Sequence, residues 1–114
     1  MPASQLDLTI EQGVTLDWLF TWYDSSGVLK DLTGYTAALK IRRTAGSSDT
    51  LASWTSPAEI TLGGVAGTVR VLVTATVTAA LDFIRGVYDL ELTTGSTVIR
   101  LVEGFVTLSK EVTR

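Results

Sequence analysis

Val14-Thr15-Leu16-Asp17-Trp18-Leu19-Phe20-Thr21-Trp22 is the stretch that decides the fold class. Val14, Leu16, Trp18, Phe20 and Trp22 fall on one face of an extended chain, and Thr15, Asp17, Leu19 and Thr21 on the other. Strict period-two alternation of this kind is the signature of a β-strand with one face turned to a core, because successive side chains of a strand point to opposite sides. The row from Val14 to Trp22 is therefore expected to be the inward one.

Working outward, Asp24-Ser25-Ser26-Gly27 closes this strand with residues that cap turns and a glycine that tolerates positive φ. Upstream, Leu6, Leu8 and Ile10 alternate with Asp7 and Thr9, predicting a first strand that ends at Glu11-Gln12-Gly13. Downstream, Val28 to Leu32 reads as a short strand punctuated by Thr33-Gly34. Tyr35, Ala37, Leu39 and Ile41 then alternate with Thr36, Ala38, Lys40 and Arg42, which places the basic residues on a solvent face. Residues 44–50 are polar and without periodicity, the pattern of a mobile loop. Leu51 to Trp54 and Ala58 to Leu62 are short strands around Pro57, whose missing N–H favours an edge or a turn.

Gly63 to Gly67 reverses the chain into a strand carrying Val69, Val71 and Val73, and the pair reads as a hairpin. Thr76 to Ile84 alone breaks the β pattern, and Thr78 to Asp82 within it predicts a single helical turn, suited to a crossover between sheets. Val87 to Leu92 and Thr97 to Leu108 are the last strands, with Gly104 a predicted bulge. About seven to nine strands joined by short Gly/Ser/Asp turns predict an all-β fold, an antiparallel immunoglobulin-like β-sandwich. Residues 1–114 form one expected domain, with 1–4 and 110–114 flexible or bound to a partner.

The composition narrows the function. Hydrophobic residues are 46% and charged residues 18%, which favours a packed core over disorder. The net charge is −3 and no basic run exceeds Arg42-Arg43, so the clustered positive face that phosphate binding needs is missing and no nucleic-acid partner is expected. Met1 to Gln5 has neither a basic nor an apolar leader region, and no stretch is long and apolar enough to span a bilayer, so no membrane role is expected.

Chemistry is equally constrained. With no histidine and no cysteine, triad hydrolysis and the common zinc sites have no residues to use. Asp89 and Glu91 share a strand face, roughly 7 Å apart by strand geometry, without the flanking cleft a glycosidase needs. Gly63 to Gly67 lacks the Lys-Ser/Thr of a phosphate-binding loop, and Asp24 to Gly27 offers too few oxygens for calcium. No catalytic residue, cofactor or metal is expected.

With the strands placed, the run from Phe20 to Arg43, followed by Gly86 to Leu92 and Val98 to Leu108, resembles small virion proteins of tailed bacteriophages. It is similar to the N-terminal immunoglobulin-like domain of phage baseplate upper proteins. The match centres on D-x-x-G-x-x-x-D-L-T-G-Y, here Asp24, Gly27 and Asp31 to Tyr35. The chain departs from the pattern at Arg85-Gly86, where the resemblance leads to Pro-Gly. The resemblance implies a virion structural protein made in the bacterial host cytoplasm. Its partners would be other virion proteins, in the tail or baseplate or, alternatively, the major capsid protein. It carries over no catalytic residue.

Such a protein works through its surface. Leu19, Tyr23, Val87 and Ile99 are apolar residues on faces otherwise polar, and Trp54 stands among Ser53, Thr55, Ser56 and Pro57. These five are the candidate protein-contact residues. A homo-oligomer, a dimer or trimer, is the expectation from the prevalence of closed cyclic assemblies. A carbohydrate-binding module using Trp54 or Tyr23 as a stacking platform is the competing class.

Overall fold

The computed structural model describes residues 4–113. Their strands are β1 (Ser4–Gln5), β2 (Leu8–Glu11), β3 (Leu16–Thr21), β4 (Thr36–Arg42), β5 (Thr50–Thr55), β6 (Ile60–Leu62), β7 (Thr68–Val73), β8 (Arg85–Thr94) and β9 (Thr97–Ser109). One short helix, α1 (Ala75–Ala79), and a 3-10 turn at Gly64–Ala66 complete the element list. The larger sheet runs β9, β8, β4, β5, with β1 and β2 both beside β9, and the smaller runs β3, β7, β6. The two pack as an all-β sandwich. Pairings are antiparallel apart from those of β1 and β2, which run parallel to β9.

The core is made where alternation places apolar side chains on facing surfaces. Leu39 and Ile41 of β4, Leu90 and Leu92 of β8, and Val102 and Val106 of β9 are buried from the large sheet, against Ile60, Val69, Val71 and Val73 from the small one. The predicted phase of β4 holds, with Ala37, Leu39 and Ile41 buried and Thr36 and Lys40 exposed. The hairpin predicted around Gly63 to Gly67 is present as β6 paired with β7.

β3 differs from its expectation at both ends. Val14 is 47% exposed and precedes the strand, while Trp18, Phe20 and Trp22 are half-buried. The physical reason is position. β3 is an edge of the narrower sheet, so one flank of its inward rings has no neighbouring strand. What the rings do reach are aromatic partners edge to face: Trp18 lies 6.5 Å from both Phe20 and Trp54, and Trp22 lies 6.2 Å from Tyr35.

Two further expectations are corrected. Val28 to Leu32 is not a strand, and its one pairing is the isolated bridge between Tyr23 and Leu29. The bulge lies not at Gly104 but between Leu90 and Glu91, opposite Val102 and Arg100, so that Leu101 is the extra residue. Gly104 has another cause, since a Cβ there would collide with the Leu6 carbonyl oxygen as the first strand crosses β9. At that crossing Leu6 N donates to Glu103 O at 2.9 Å, Phe105 N donates to the Asp7 carboxylate at 3.0 Å, and Tyr88 OH donates to Leu6 O at 2.6 Å.

α1 carries the chain from β7 of the small sheet to β8 of the large one, as a crossover should, but it starts three residues before the expected Thr78 because Thr74 supplies the N-cap. Thr74 caps its N-terminus by accepting from Val77 N, and the buried Thr78 hydroxyl reaches Val14 O at 2.9 Å. Of the terminal segments, Ser4 is in β1, Lys110 contacts Asp82 at 3.0 Å and Glu111 N donates to Gln12 at 2.9 Å. Residues 1–3 and 114, part of the segments predicted to be flexible or partner-bound, lie outside the described residues.

Candidate functional site

The end of β3 and the first half of β9 flank a cleft of about 480 Å³. Thr21, Trp22 and Tyr23 form one wall, and Val98, Ile99 and Leu101 the other. Two of the five candidate contact residues, Tyr23 and Ile99, thus come together although they lie far apart in sequence. Tyr23 is 54% exposed and Ile99 half-buried, so the cleft presents aromatic and aliphatic side chains with Ser4 and Arg100 beside them. Leu19 lies on the same edge strand, 64% exposed on the outer face of the small sheet.

Trp54 does not belong to this surface. It pairs with Leu39 in register, points into the sandwich and is 4% exposed. Its polar neighbours misled the reading for a simple reason: on a strand with one buried face, Ser53 and Thr55 belong to the opposite side, so their polarity says nothing about Trp54. The contact role and the sugar platform assigned to this residue are both withdrawn.

Val87 lies elsewhere, half-buried on the outer face of the large sheet. A shallow groove of about 580 Å³ runs over that face. Phe105 stands opposite Val87 in register, and the Arg85 guanidinium lies 4.0 Å above its ring. Beside them Arg100 reaches Asp89 at 3.3 Å, Glu91 at 3.8 Å and Glu103 at 3.1 Å. One guanidinium thus sits among three carboxylates on an open sheet, which holds their charge in place on a solvated face. Among the described residues no group of acidic side chains is placed to hold a metal ion.

The residues of the turn motif are committed to the backbone. The Asp24 carboxylate accepts from Ser26 N at 2.8 Å and Val28 N at 3.0 Å, and Gly27 takes a φ of 80° to complete the turn. Asp31 accepts from the Thr33 hydroxyl at 2.7 Å and its amide at 3.0 Å, and these bonds hold its pKa below the usual carboxylate value. Leu32 between them is buried, and Tyr35 packs on Trp22. The loop 44–50 is tied in turn by Arg42, whose guanidinium donates to the Ser47 and Ser48 carbonyls at 3.4 and 3.2 Å.

Phe105, Leu72 and the Arg85 stack were not singled out from sequence. Phe105 is 45% exposed and Leu72 44%. The signal was present for both, because each is apolar on a strand face whose other members are polar, but the phase of β9 is legible only once the Leu101 bulge is located. No protein-family model matches the chain, and no curated protein matches it in sequence.

Proposed function

We propose that the chain is a non-catalytic structural protein of a tailed-phage virion, placed in the tail or baseplate, where it joins other virion proteins through the surface of its sandwich. The observation that carries this reading is the cleft where Tyr23 and Ile99 meet, with Leu19 exposed on the edge strand that leads to it. Exposed apolar groups gathered on an unpaired strand are what protein partners use, through main-chain bonds and side-chain pockets together. The motif from Asp24 to Tyr35, on which the phage resemblance rests, supports the reading because its carboxylates serve turns and Leu32 and Tyr35 serve packing, while Val28 and Leu29 stay exposed.

A decoration protein stapling neighbouring capsomers is the alternative within the same class. A carbohydrate-binding role has lost its tryptophan platform with the burial of Trp54 and retains only Tyr23. Catalysis would have to proceed without histidine or cysteine, and the Asp89 and Glu91 carboxylates that share a strand face are already paired to Arg100.

Quantitative mass spectrometry of purified virions tests the proposal. Symmetry expects roughly six, twelve or eighteen copies per particle for a tail component. Hundreds of copies move the protein to the capsid, and its absence from washed virions overturns the structural reading. Addition of a panel of soluble glycans should leave the tryptophan emission unchanged.

A further inference from the structure

β3 has an open edge with the means to pair with itself. Trp22 N donates to Gly67 O at 2.8 Å, so by the antiparallel alternation Leu16, Trp18 and Phe20 direct their backbone groups toward β7. Two bonds on the far side of β7 agree with this phase: Gly63 N donates to Thr68 O at 2.8 Å, and Leu72 N to Glu59 O at 2.8 Å. Thr68 and Leu72 stand opposite Thr21 and Asp17 in the β3–β7 register, and both turn away from β3. The N–H and C=O groups of Asp17, Leu19 and Thr21 therefore point outward, and no described residue pairs with them.

This edge also lacks the usual protection. Lysine, proline and bulges ordinarily blunt an exposed strand, and Leu16 to Thr21 contains none of these. Its one charge, Asp17, is bound by the Arg70 guanidinium through contacts of 2.9 and 2.8 Å. The inward rings of Trp18 and Phe20 remain half-buried at the open side, and Leu19 is 64% exposed.

We propose that two copies of this chain pair through β3, antiparallel about a twofold axis at Leu19, to join their small sheets into one. The register is self-complementary at every position. Leu19 faces its own symmetry mate on the outer surface. Trp18 faces Phe20 of the second copy, and Phe20 faces its Trp18, in the closer non-hydrogen-bonded sites where aromatic pairs contribute most. Asp17 faces Thr21 of the second copy, so no like charges meet. The outward backbone groups of Asp17, Leu19 and Thr21 then exchange hydrogen bonds across the axis, which makes the contact isologous and closed.

The pairing deepens the assembly reading and rests on it for its setting. Light scattering and sedimentation of the purified chain over the micromolar range should give twice the 12.2 kDa chain mass. Leu19→Lys places two ammonium groups face to face across the axis at an exposed position, and should return the mass to that of one chain with unchanged circular dichroism. Amide exchange supplies a test that needs no variant: the Asp17, Leu19 and Thr21 amides should be protected in concentrated protein and exposed on dilution, while the Trp18 and Phe20 amides stay protected throughout. A monomer at all concentrations, a dimer that survives Leu19→Lys, or edge amides indifferent to dilution would each overturn the pairing. A virion protein that is monomeric in solution sinks the dimer alone, whereas an edge-dependent dimer absent from virions sinks only the virion reading.

Discussion

Tyr88 shows how one side chain can tie distant parts of the chain. Its ring belongs to the core, and its hydroxyl donates to Leu6 O at 2.6 Å, fastening the first strand to the large sheet. Burial, with a smaller contribution from the Asp7 carboxylate, pushes the phenol up to about 12. The unfolded chain releases the same proton near 10, so between these values the folded state holds a proton that the unfolded state has lost. The stability contributed by neutral Tyr88 is therefore complete below about pH 10 and is lost as pH rises toward 12. Tyr88→Phe should be less stable than wild type at pH 8, by about 1 kcal/mol for the lost hydrogen bond. At pH 12 that deficit should vanish or reverse, as measured by urea denaturation at both pH values. Neither the hydroxyl's partner nor the need for glycine at 104 is legible in sequence, because both depend on where Leu6 crosses β9.

At the scale of the element, two of the edge strands, β3 and β5, are treated differently. Thr50 to Thr55 carries no charge and would be an aggregation risk on its own. Glu59 guards it: its carboxylate accepts from Thr55 N at 3.2 Å and its own amide donates to Thr55 O at 3.1 Å, covering the end of the strand. Glu59→Ala should speed aggregation on warming, read by turbidity, while lowering stability by no more than about 1 kcal/mol, the usual effect of one exposed hydrogen bond. No such guard stands over Asp17, Leu19 and Thr21, and that contrast is what recommends β3 as the interface. Strand content was readable from alternation alone in β4, β7 and β8, each lying inside a sheet with its two faces in unlike environments. Val28 to Leu32 misread because a short apolar run carries no information about whether a neighbouring strand exists to pair with it.

For the whole molecule, stability depends on the side chains that meet between the two sheets. Trp54 of the large sheet meets Trp18 of the small one, and its removal opens a cavity where the layers meet. Trp54→Ala should cost about 3–5 kcal/mol, the range for deleting a buried aromatic. A domain of this size has only about 5–15 kcal/mol to lose, so thermal unfolding should move well toward ambient temperature. What the order of residues determined by itself was the all-β class, the phases of β4, β7 and β8, the hairpin around Gly63 to Gly67, the helical crossover and the turn chemistry of Asp24 and Asp31, because each arises between residues close in the chain. Tertiary structure alone decided that Trp54 is covered, that Tyr23 and Ile99 share a cleft, and that β3 ends a sheet. Burial and edges are properties of which strands lie side by side, and that arrangement is set by packing over the entire core.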